Sequence, residues 1–311
     1  MGKGKGYGKT ILFGEHFVVY GLAAIASALG SSTTAEVRVV EGIGWTVDDQ
    51  RPATPGYKKT KYQEAMQSIK NVIDYLKIDT ESQKLEISFA GDLFAASGVG
   101  ASAAQCTSLS RALNEAFNLK LSDEQINEAA YEGEKAYHGT PSGIDNTAST
   151  YGGLIWFVKN LSGGKNTMEL LQSPVKMSLV IANSGVTAST AEVVSEVRHL
   201  KEENPDKFEK IFHEYKNLAV KAKTALNKGD ITSIGNLMNQ NHKLLQEITV
   251  SGKINDKLVE IALKNGAIGA KMTGTGRGGL VIALASSEDI QNRIATAVED
   301  EGLDAWKTTI G

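Results

Sequence analysis

The sequence predicts an α+β protein with two domains. In the first half, short apolar runs rich in β-branched residues alternate with helical patterns, whereas long helical patterns dominate the second half. The apolar runs between those later helices indicate antiparallel strands, which is typical of α+β domains. A polar, glycine-rich stretch at 160–174 separates the two halves. We therefore predict one domain over 1–172 and a second over 173–311.

In the first half, β-branched and large apolar residues predict strands at 10–13, 35–40, 85–89 and 153–158. The glycine- and lysine-rich residues before position 10 predict a flexible leader, and the two prolines within 42–57 predict an irregular segment. Helical spacing then predicts a helix over 61–76. Ser122 and Gln125 form a capping-box pattern, which predicts the start of a helix that ends near Tyr137.

In the second half, an apolar run predicts a strand at 177–181. Amphipathic spacing predicts helices at 190–200, 206–227, 231–248, 255–265 and 287–298. Further apolar runs predict strands at 268–272, at 280–284 and through 306.

Composition narrows the classes of function. The net charge of -3, from 33 basic and 36 acidic residues, offers no general attraction to nucleic acid or to an anionic membrane. A single cysteine, Cys106, excludes an intrachain disulfide and favours a cytoplasmic location. The apolar stretch at 17–29 is too short to span a bilayer, so we expect no membrane segment.

The segment GYGKT at 6–10 resembles the end of a nucleotide-binding P-loop. That motif needs a glycine where Lys3 stands, and it needs a helix where an apolar strand pattern follows. We therefore exclude a P-loop here. Lys9 remains open to two interpretations, a solvated leader lysine or a functional residue that enters the first strand.

Two glycine-rich loops carry functional potential. The first, GVGASAA at 98–104, precedes a helical pattern, so its backbone N–H groups form either a phosphate cradle or a tight turn with close helix packing. The second, at 274–279, matches G-x-G-x-x-G, but an apolar strand pattern follows it instead of a helix. We expect a turn between two strands there, and a dinucleotide site is disfavoured.

Two carboxylates stand eleven positions apart around a turn-rich run. Glu134 lies near the end of the capped helix, and Asp145 follows the glycine- and proline-containing residues 138–144. Such a pair can converge on one cation or on a reacting hydroxyl. Most acidic residues are simply solvated, so the spacing alone leaves that alternative open.

Four stretches together resemble motifs of the GHMP family of small-molecule kinases. They are KTILFGEHFVVYG at 9–21, GVGASAA at 98–104, HGTPSGIDN at 138–146 and KMTGTGRGG at 271–279, in the family's order. The resemblance implies a ribosomal-protein-S5-like N-terminal domain and a ferredoxin-like C-terminal domain. It also implies ATP and Mg²⁺ as cofactors, and transfer of the γ-phosphoryl group of ATP to the 5-hydroxyl of mevalonate.

The resemblance further implies roles for single residues. Asp145 corresponds to the catalytic aspartate and Lys9 to the lysine that pairs with it. Glu134 and Ser102 correspond to magnesium ligands. The positions expected at the ATP phosphates are Gly98, Gly100, Ala101, Ser102, Ala103, Gly274 and Gly276.

On the substrate side, the resemblance implies contacts from His16 and Thr190. The sequence departs from the family pattern at Ala101, where a serine is usual, and at Arg277, where a glycine is common. Arg277 either faces phosphate or faces solvent, and His16 has a purely structural role as its alternative. The family is also compatible with a homodimer.

Three other functions stay open. One is a different GHMP kinase, acting on phosphomevalonate, homoserine or a sugar, although the stretches GEHFVVYG and HGTPSGIDN favour mevalonate. Another is a nucleic-acid-binding S5-like module, which the acidic balance disfavours. The third is a nicotinamide-dependent enzyme, which would need a strand directly before the first glycine loop.

Overall fold

The structure, a computed structural model, describes residues 1–53, 55–95 and 98–311. Thr54, within the segment predicted to be irregular, lies outside the described residues. The chain forms two compact units: Met1–Lys9 with Ala28–Gly152, and Thr10–Ser27 with Gly153–Gly311. Each unit is thus discontinuous in sequence, and the domain division at 172/173 stays a prediction.

The first unit combines a sheet with helices. Its strands are β1 (Gly2–Phe13) and β2 (Ala24–Val40), which contribute residues to both units, together with β3 (Gly44–Asp49) and β4 (Lys84–Gly91). β4 pairs antiparallel with β2 and parallel with β3, and β1 pairs with β2. Its helices are α1 (Tyr57–Thr60), α2 (Tyr62–Tyr75), α3 (Ala101–Ala116), α4 (Asp123–His138) and α5 (Ile144–Tyr151).

The expectation of a flexible leader is wrong, because β1 begins at Gly2. Gly2, Gly4 and Gly6 lie against the backbone of α3, and a Cβ atom at Gly4 would lie 2.1 Å from a main-chain carbonyl oxygen of that helix. Two residues of a strand extend about 6.6 Å, and four residues of a helix extend about 6 Å. Every second residue of β1 can therefore contact a successive turn of α3. The carbonyl oxygens that these three glycines approach belong to Ala112, Ser108 and Ala104.

The expectation of an irregular segment at 42–57 is also wrong over β3. Trp45 and Val47 alternate along this strand and pack against a buried core cluster that includes Val37 and Leu85. Alternating burial and pairing with β4 therefore make a strand where composition indicated a loop.

The helices of the first unit follow the predictions closely, with two additions, the four-residue α1 and α5. The capping box forms as predicted: the Gln125 N–H donates to the Ser122 hydroxyl, and the Ser122 N–H donates to the Gln125 side chain. The N-cap of α5, Gly143, has a left-handed φ of 90°. Helix α5 begins inside the run that the sequence indicated only as a turn.

The second unit contains two antiparallel arrangements. β5 (Leu154–Val158) pairs with residues 24–27 of β2 and with β6 (Thr167–Leu171), a strand that the polar composition of 160–174 concealed. The other sheet has the order β10-β7-β9-β8. Its strands are β7 (Met177–Asn183), β8 (Gly269–Thr273), β9 (Leu280–Ala285) and β10 (Ala305–Ile310).

Five helices complete the second unit where amphipathic spacing predicted them. They are α6 (Thr190–Glu203), α7 (Pro205–Lys228), α8 (Ile231–Glu247), α9 (Lys253–Lys264) and α10 (Glu288–Glu299). The predicted α+β class is confirmed. Within the described ranges, no helix is both long and apolar enough to cross a membrane.

Candidate active site

An ion pair lies where β1 leaves the first unit. The Lys9 ammonium lies 3.0 Å from Asp145 Oδ1, and the Lys9 side chain is only 5% exposed whereas that of Asp145 is 28% exposed. Lys9 also donates its backbone N–H to the Val99 carbonyl at 2.8 Å, which joins it to the first glycine loop. The interpretation of Lys9 as a solvated leader lysine is therefore wrong. The pair presents one accessible carboxylate to solvent.

The first glycine loop packs directly on Lys9. Gly98 and Gly100 both have left-handed φ values, 100° and 72°, and Gly100 precedes the first residue of α3. A Cβ atom at Gly100 would lie 2.7 Å from the Cγ atom of Lys9, so close packing demands glycine here. Ala101, Ser102 and Ala103 form the first turn of α3. The N-cap residue, Gly100, has no side chain that could cap this turn, so its N–H groups suit an anion.

Glu134, on α4, carries a buried carboxylate. Its side chain is fully buried, and neither oxygen has a partner among the residues that the structure describes. Burial is the main cause that raises the pKa of Glu134 to about 8; the charge of Asp145 acts in the same direction, while Ser102 and Lys9 act in the opposite direction. Ser102 is near enough to favour the charged form, although it does not meet hydrogen-bond geometry. A solvated Glu134 is thus excluded.

His138 joins this carboxylate from the last turn of α4. Its Nε2 atom lies 3.6 Å from Glu134 Oε2, too far for a hydrogen bond. Ligand-type atoms of Glu134, His138 and Asp145 all lie within 4.8 Å of one another. Burial lowers the pKa of His138. Sequence reasoning did not select His138, because the predicted helix ends near Tyr137 and only the observed α4, which continues to His138, places it one turn from Glu134.

Arg51 is a second residue that sequence reasoning missed. Its guanidinium binds both carboxylate oxygens of Asp49 and also donates to the Ala101 carbonyl at 3.2 Å and to Gln105 Oε1 at 2.7 Å. The side chain is buried, and its charge is matched by Asp49. Arg51 therefore links Asp49, the last residue of β3, to the first turn of α3 through hydrogen bonds.

In the second unit, His16 is buried and neutral. Its Nε2 atom donates to the Thr275 carbonyl at 2.7 Å, which leaves Nδ1 as an acceptor with no partner among the described residues. Burial is the main cause that lowers the pKa of His16 to about 4; the hydrogen bond with Thr275 opposes this shift, and the charge of Arg277 adds to it. His16 also has a left-handed φ of 60°, a conformation that costs energy for a residue with a side chain.

Thr275 links two of the predicted site residues in this unit. Its carbonyl accepts from His16, and its hydroxyl lies 2.6 Å from that of Thr190 at the start of α6. The flanking Gly274 and Gly276 both have φ values of 83°. A Cβ atom at Gly276 would lie 2.2 Å from a main-chain carbonyl oxygen, which explains the glycine there.

The second glycine loop is a turn between β8 and β9, as the sequence predicted, so the helix that a dinucleotide motif needs does not follow it. Arg277 in this turn contacts Glu196 and donates from Nε to the Thr249 carbonyl at 3.1 Å. Its charge is therefore matched by a carboxylate within the second unit.

A second lysine–carboxylate pair lies in the interior of the second unit. The Lys271 ammonium contacts Glu15 Oε1 and donates to the Met272 carbonyl at 2.7 Å. Both side chains are fully buried. Burial raises the pKa of Glu15 and lowers that of Lys271.

The structure thus groups the predicted site residues in two sets. The first unit brings together Lys9, Glu134, Asp145 and the loop from Gly98 to Ala103. The second unit brings His16 and Thr190 together around Thr275. Of the residues that the sequence did not select, His138 and Arg51 belong to the first set and Thr275 to the second.

Comparison with protein families gives two matches to this chain. The model described as the GHMP kinases N terminal domain matches residues 66–153, and the one described as GHMP kinases C terminal matches residues 222–304. Together they span more than half of the chain.

Individual proteins are similar over nearly the full length. The chain is 34% identical to a mevalonate kinase of Pyrococcus horikoshii, over 94% of this chain and 91% of that protein. It is 31% identical to a mevalonate kinase of Thermococcus sibiricus, with the same two coverages. A crystal structure of L. major mevalonate kinase in complex with R-mevalonate is 41% identical, with a TM-score of 0.93, over 100% of this chain and 96% of that one.

Proposed function

Since the chain belongs to the GHMP kinase family, we propose that it transfers the γ-phosphoryl group of ATP to the 5-hydroxyl group of mevalonate. Relatives named as mevalonate kinases, and a similar structure described with R-mevalonate bound, support mevalonate over a sugar or homoserine. The proposed product is 5-phosphomevalonate, with ADP released. The cytoplasmic location and the homodimer remain predictions.

The observation that carries this proposal is the pair of Lys9 and Asp145. A carboxylate held at 3.0 Å from an ammonium group and still partly exposed can accept a hydrogen bond from a substrate hydroxyl. We assign Asp145 to orient the 5-hydroxyl and to lie within reach of its proton. As the hydroxyl oxygen bonds to the γ-phosphorus, the bond from that phosphorus to the bridging oxygen of ADP breaks.

Phosphate binding is assigned to the first turn of α3. The uncapped N–H groups from Ala101 to Ala103 and the positive end of the helix favour the phosphate oxygens. The glycines at 98 and 100 let the backbone approach closely, because no Cβ atom intervenes. Arg51 holds this turn in place through the Ala101 carbonyl.

The residues present fit a Mg²⁺ ion. Two buried carboxylate oxygens of Glu134 have no hydrogen-bond donor among the described residues, and hard oxygen ligands are those that Mg²⁺ prefers. Glu134 and Ser102 would hold the ion. When bound, Mg²⁺ would neutralise charge on the ATP phosphates.

Substrate recognition is assigned to His16 and Thr190. The unpartnered Nδ1 atom of the neutral His16 can accept a hydrogen bond from a hydroxyl group of mevalonate. The Thr190 hydroxyl, paired with that of Thr275, supplies a second polar contact. These roles explain why His16 keeps a strained backbone conformation.

The test is ADP release with ATP, Mg²⁺ and a panel of mevalonate, phosphomevalonate, homoserine and galactose. We expect turnover on mevalonate alone, and we expect Asp145→Asn to lower kcat about 10³-fold while ATP still binds. The matched control is Asp74→Asn, an exposed aspartate that also pairs with a lysine. Turnover mainly on galactose, or an Asp145→Asn variant as active as the control, would refute the assignment.

A further inference from the structure

Three ligand-type side chains converge where α4 ends and α5 begins. Glu134 and His138 lie one turn apart on α4, and Asp145 lies in the first turn of α5. One ligand atom from each lies within 4.8 Å of the other two. Neither His138 nor Asp145 supplies a hydrogen bond to the buried carboxylate of Glu134.

The distances decide which members can share one cation. Two ligands that each lie about 2.1 Å from a metal ion are at most about 4.2 Å apart, and adjacent ligands are about 3 Å apart. The separation of 3.6 Å between His138 Nε2 and Glu134 Oε2 falls within this range. Asp145 is already paired with the Lys9 ammonium, whereas Glu134 has no lysine or arginine partner within ion-pair distance among the described residues. Glu134 and His138 are therefore the pair that is available to a cation.

We propose that His138 is a nitrogen ligand of the divalent cation held by Glu134. This inference rests on the proposed function only in that Glu134 holds a cation. It changes the expected donor set from oxygen alone to a mixture of imidazole nitrogen and oxygen. Imidazole suits Mn²⁺ less than Co²⁺ or Ni²⁺, but it suits all three better than Mg²⁺.

Another histidine–glutamate pair with the same spacing shows what a merely structural role for His138 would look like. His199 and Glu203 also stand four residues apart on one helix, with 3.3 Å between their nitrogen and oxygen atoms. Both side chains of that pair are largely exposed, at 73% and 55%, whereas the Glu134 side chain is 1% exposed. The pair at 199 and 203 therefore offers the same spacing without a buried carboxylate, and His199→Asn is the matched control.

The test uses pulsed electron paramagnetic resonance of bound Mn²⁺, which detects a directly coordinated ¹⁴N nucleus. The probe is Mn²⁺ with inorganic tripolyphosphate, which contains no nitrogen. We expect an imidazole nitrogen signal in the wild-type protein and in His199→Asn, and its loss in His138→Asn. We also expect His138→Asn to weaken Mn²⁺ binding about tenfold.

A second variant separates ligation from folding. His138→Asp supplies an oxygen ligand at the same position, so we expect it to keep Mn²⁺ binding within about threefold of the wild type while the nitrogen signal disappears. Absence of the signal from the wild type, or its persistence in either His138 variant, would overturn the proposal.

Turnover of mevalonate with Mg²⁺, measured on the same preparations, keeps this result apart from the proposed function. Turnover without a nitrogen signal would overturn only the role of His138. A nitrogen signal without turnover on any member of the panel would overturn the kinase assignment and leave the metal ligand in place.

Discussion

Each unit of the protein contains a lysine–carboxylate pair whose lysine is buried, and these two pairs differ in exposure. In the first unit, Lys9 is buried but its partner Asp145 is 28% exposed. In the second, Lys271 and Glu15 are both fully buried, and Lys271 also donates to a main-chain carbonyl. The same two chemical groups therefore face different surroundings.

The difference teaches which pair can act on a ligand. Asp145 keeps carboxylate surface that a hydroxyl can reach, so its ion pair positions a reactive group. The pair of Lys271 and Glu15 has no such surface, and a buried ion pair of this kind contributes little net stability while its disruption is costly. We therefore expect the first pair to affect catalysis and the second to affect folding.

The largest expected effect comes from breaking each pair on its lysine side. Lys271→Met leaves the Glu15 charge buried without a partner, so we expect a loss of about 3–5 kcal/mol in the free energy of unfolding. Lys9→Met should instead lower kcat about 10²–10³-fold and cost less than about 2 kcal/mol of stability, because Asp145 remains partly solvated. Urea unfolding measures the stability of both variants, and steady-state kinetics measures their kcat.

The double variant Lys271→Met with Glu15→Gln is the control for this comparison. It removes the stranded charge, so it should recover part of the stability that Lys271→Met loses. A Lys271→Met variant with normal stability and low kcat would contradict the distinction between the two pairs.

The next effect concerns the strand that carries Lys9. Gly4→Ala places a Cβ atom 2.1 Å from the Ser108 carbonyl, so we expect a loss of about 3 kcal/mol in the free energy of unfolding. Gly30→Ala, in β2, is the control because, apart from its chain neighbours, no described residue has an atom within 4 Å of the added Cβ. We expect that variant to stay within about 0.5 kcal/mol of the wild type by thermal unfolding. Equal effects of the two substitutions would exclude the close contact between β1 and α3.

The smallest expected effect is the pH dependence of stability that arises from His242, a buried residue near Lys271. Burial is the main cause that lowers the pKa of His242 to about 4; the charge of Lys271 acts in the same direction, and the charge of Asp256 opposes both. Because the folded pKa lies below the usual value of 6.5, only the unfolded chain binds this proton between those pH values. His242 therefore contributes stability above about pH 6.5, and this contribution is lost as the pH falls toward 4.

The free energy of unfolding of the wild type should fall between pH 6.5 and pH 4.5. In His242→Gln this fall should be smaller by about 2 kcal/mol, as measured by urea unfolding at both pH values. His213→Gln, at an exposed histidine on α7, is the control and should leave the pH dependence unchanged. An unchanged pH dependence in His242→Gln would show that His242 is not held neutral in the folded protein.

Much of the candidate site could be predicted because its residues stand in motifs with recognisable chemistry. The motif order selected Lys9, Asp145 and Glu134 before any distance was known, and the structure brings all three together. His138 escaped selection although it lies within the same motif, because a lone histidine in a turn-rich run has no ligand pattern of its own. Its proximity to Glu134 depends on α4 continuing to residue 138.

Arg51 could not have been found from its surroundings in the sequence. It follows two aspartates and precedes a proline, which is typical of a surface loop. Its role arises from contacts with Ala101 and Gln105, fifty residues or more along the chain. Such contacts leave no local periodicity.

The sequence by itself determined the α+β class, the positions of the long helices and the identity of the reactive groups, because hydrophobic periodicity and motif chemistry are local properties. Only the tertiary structure decided that the glycine-rich leader is a strand. A glycine has no side chain whose hydrophobicity could indicate burial, and the reason for glycine here is close contact with α3, a helix that is distant in the sequence. The tertiary structure also decided that the Lys9–Asp145 pair keeps a partly exposed carboxylate, whereas the Glu15–Lys271 pair is fully buried. Exposure depends on which segments cover a pair, and those segments lie far from it in the chain.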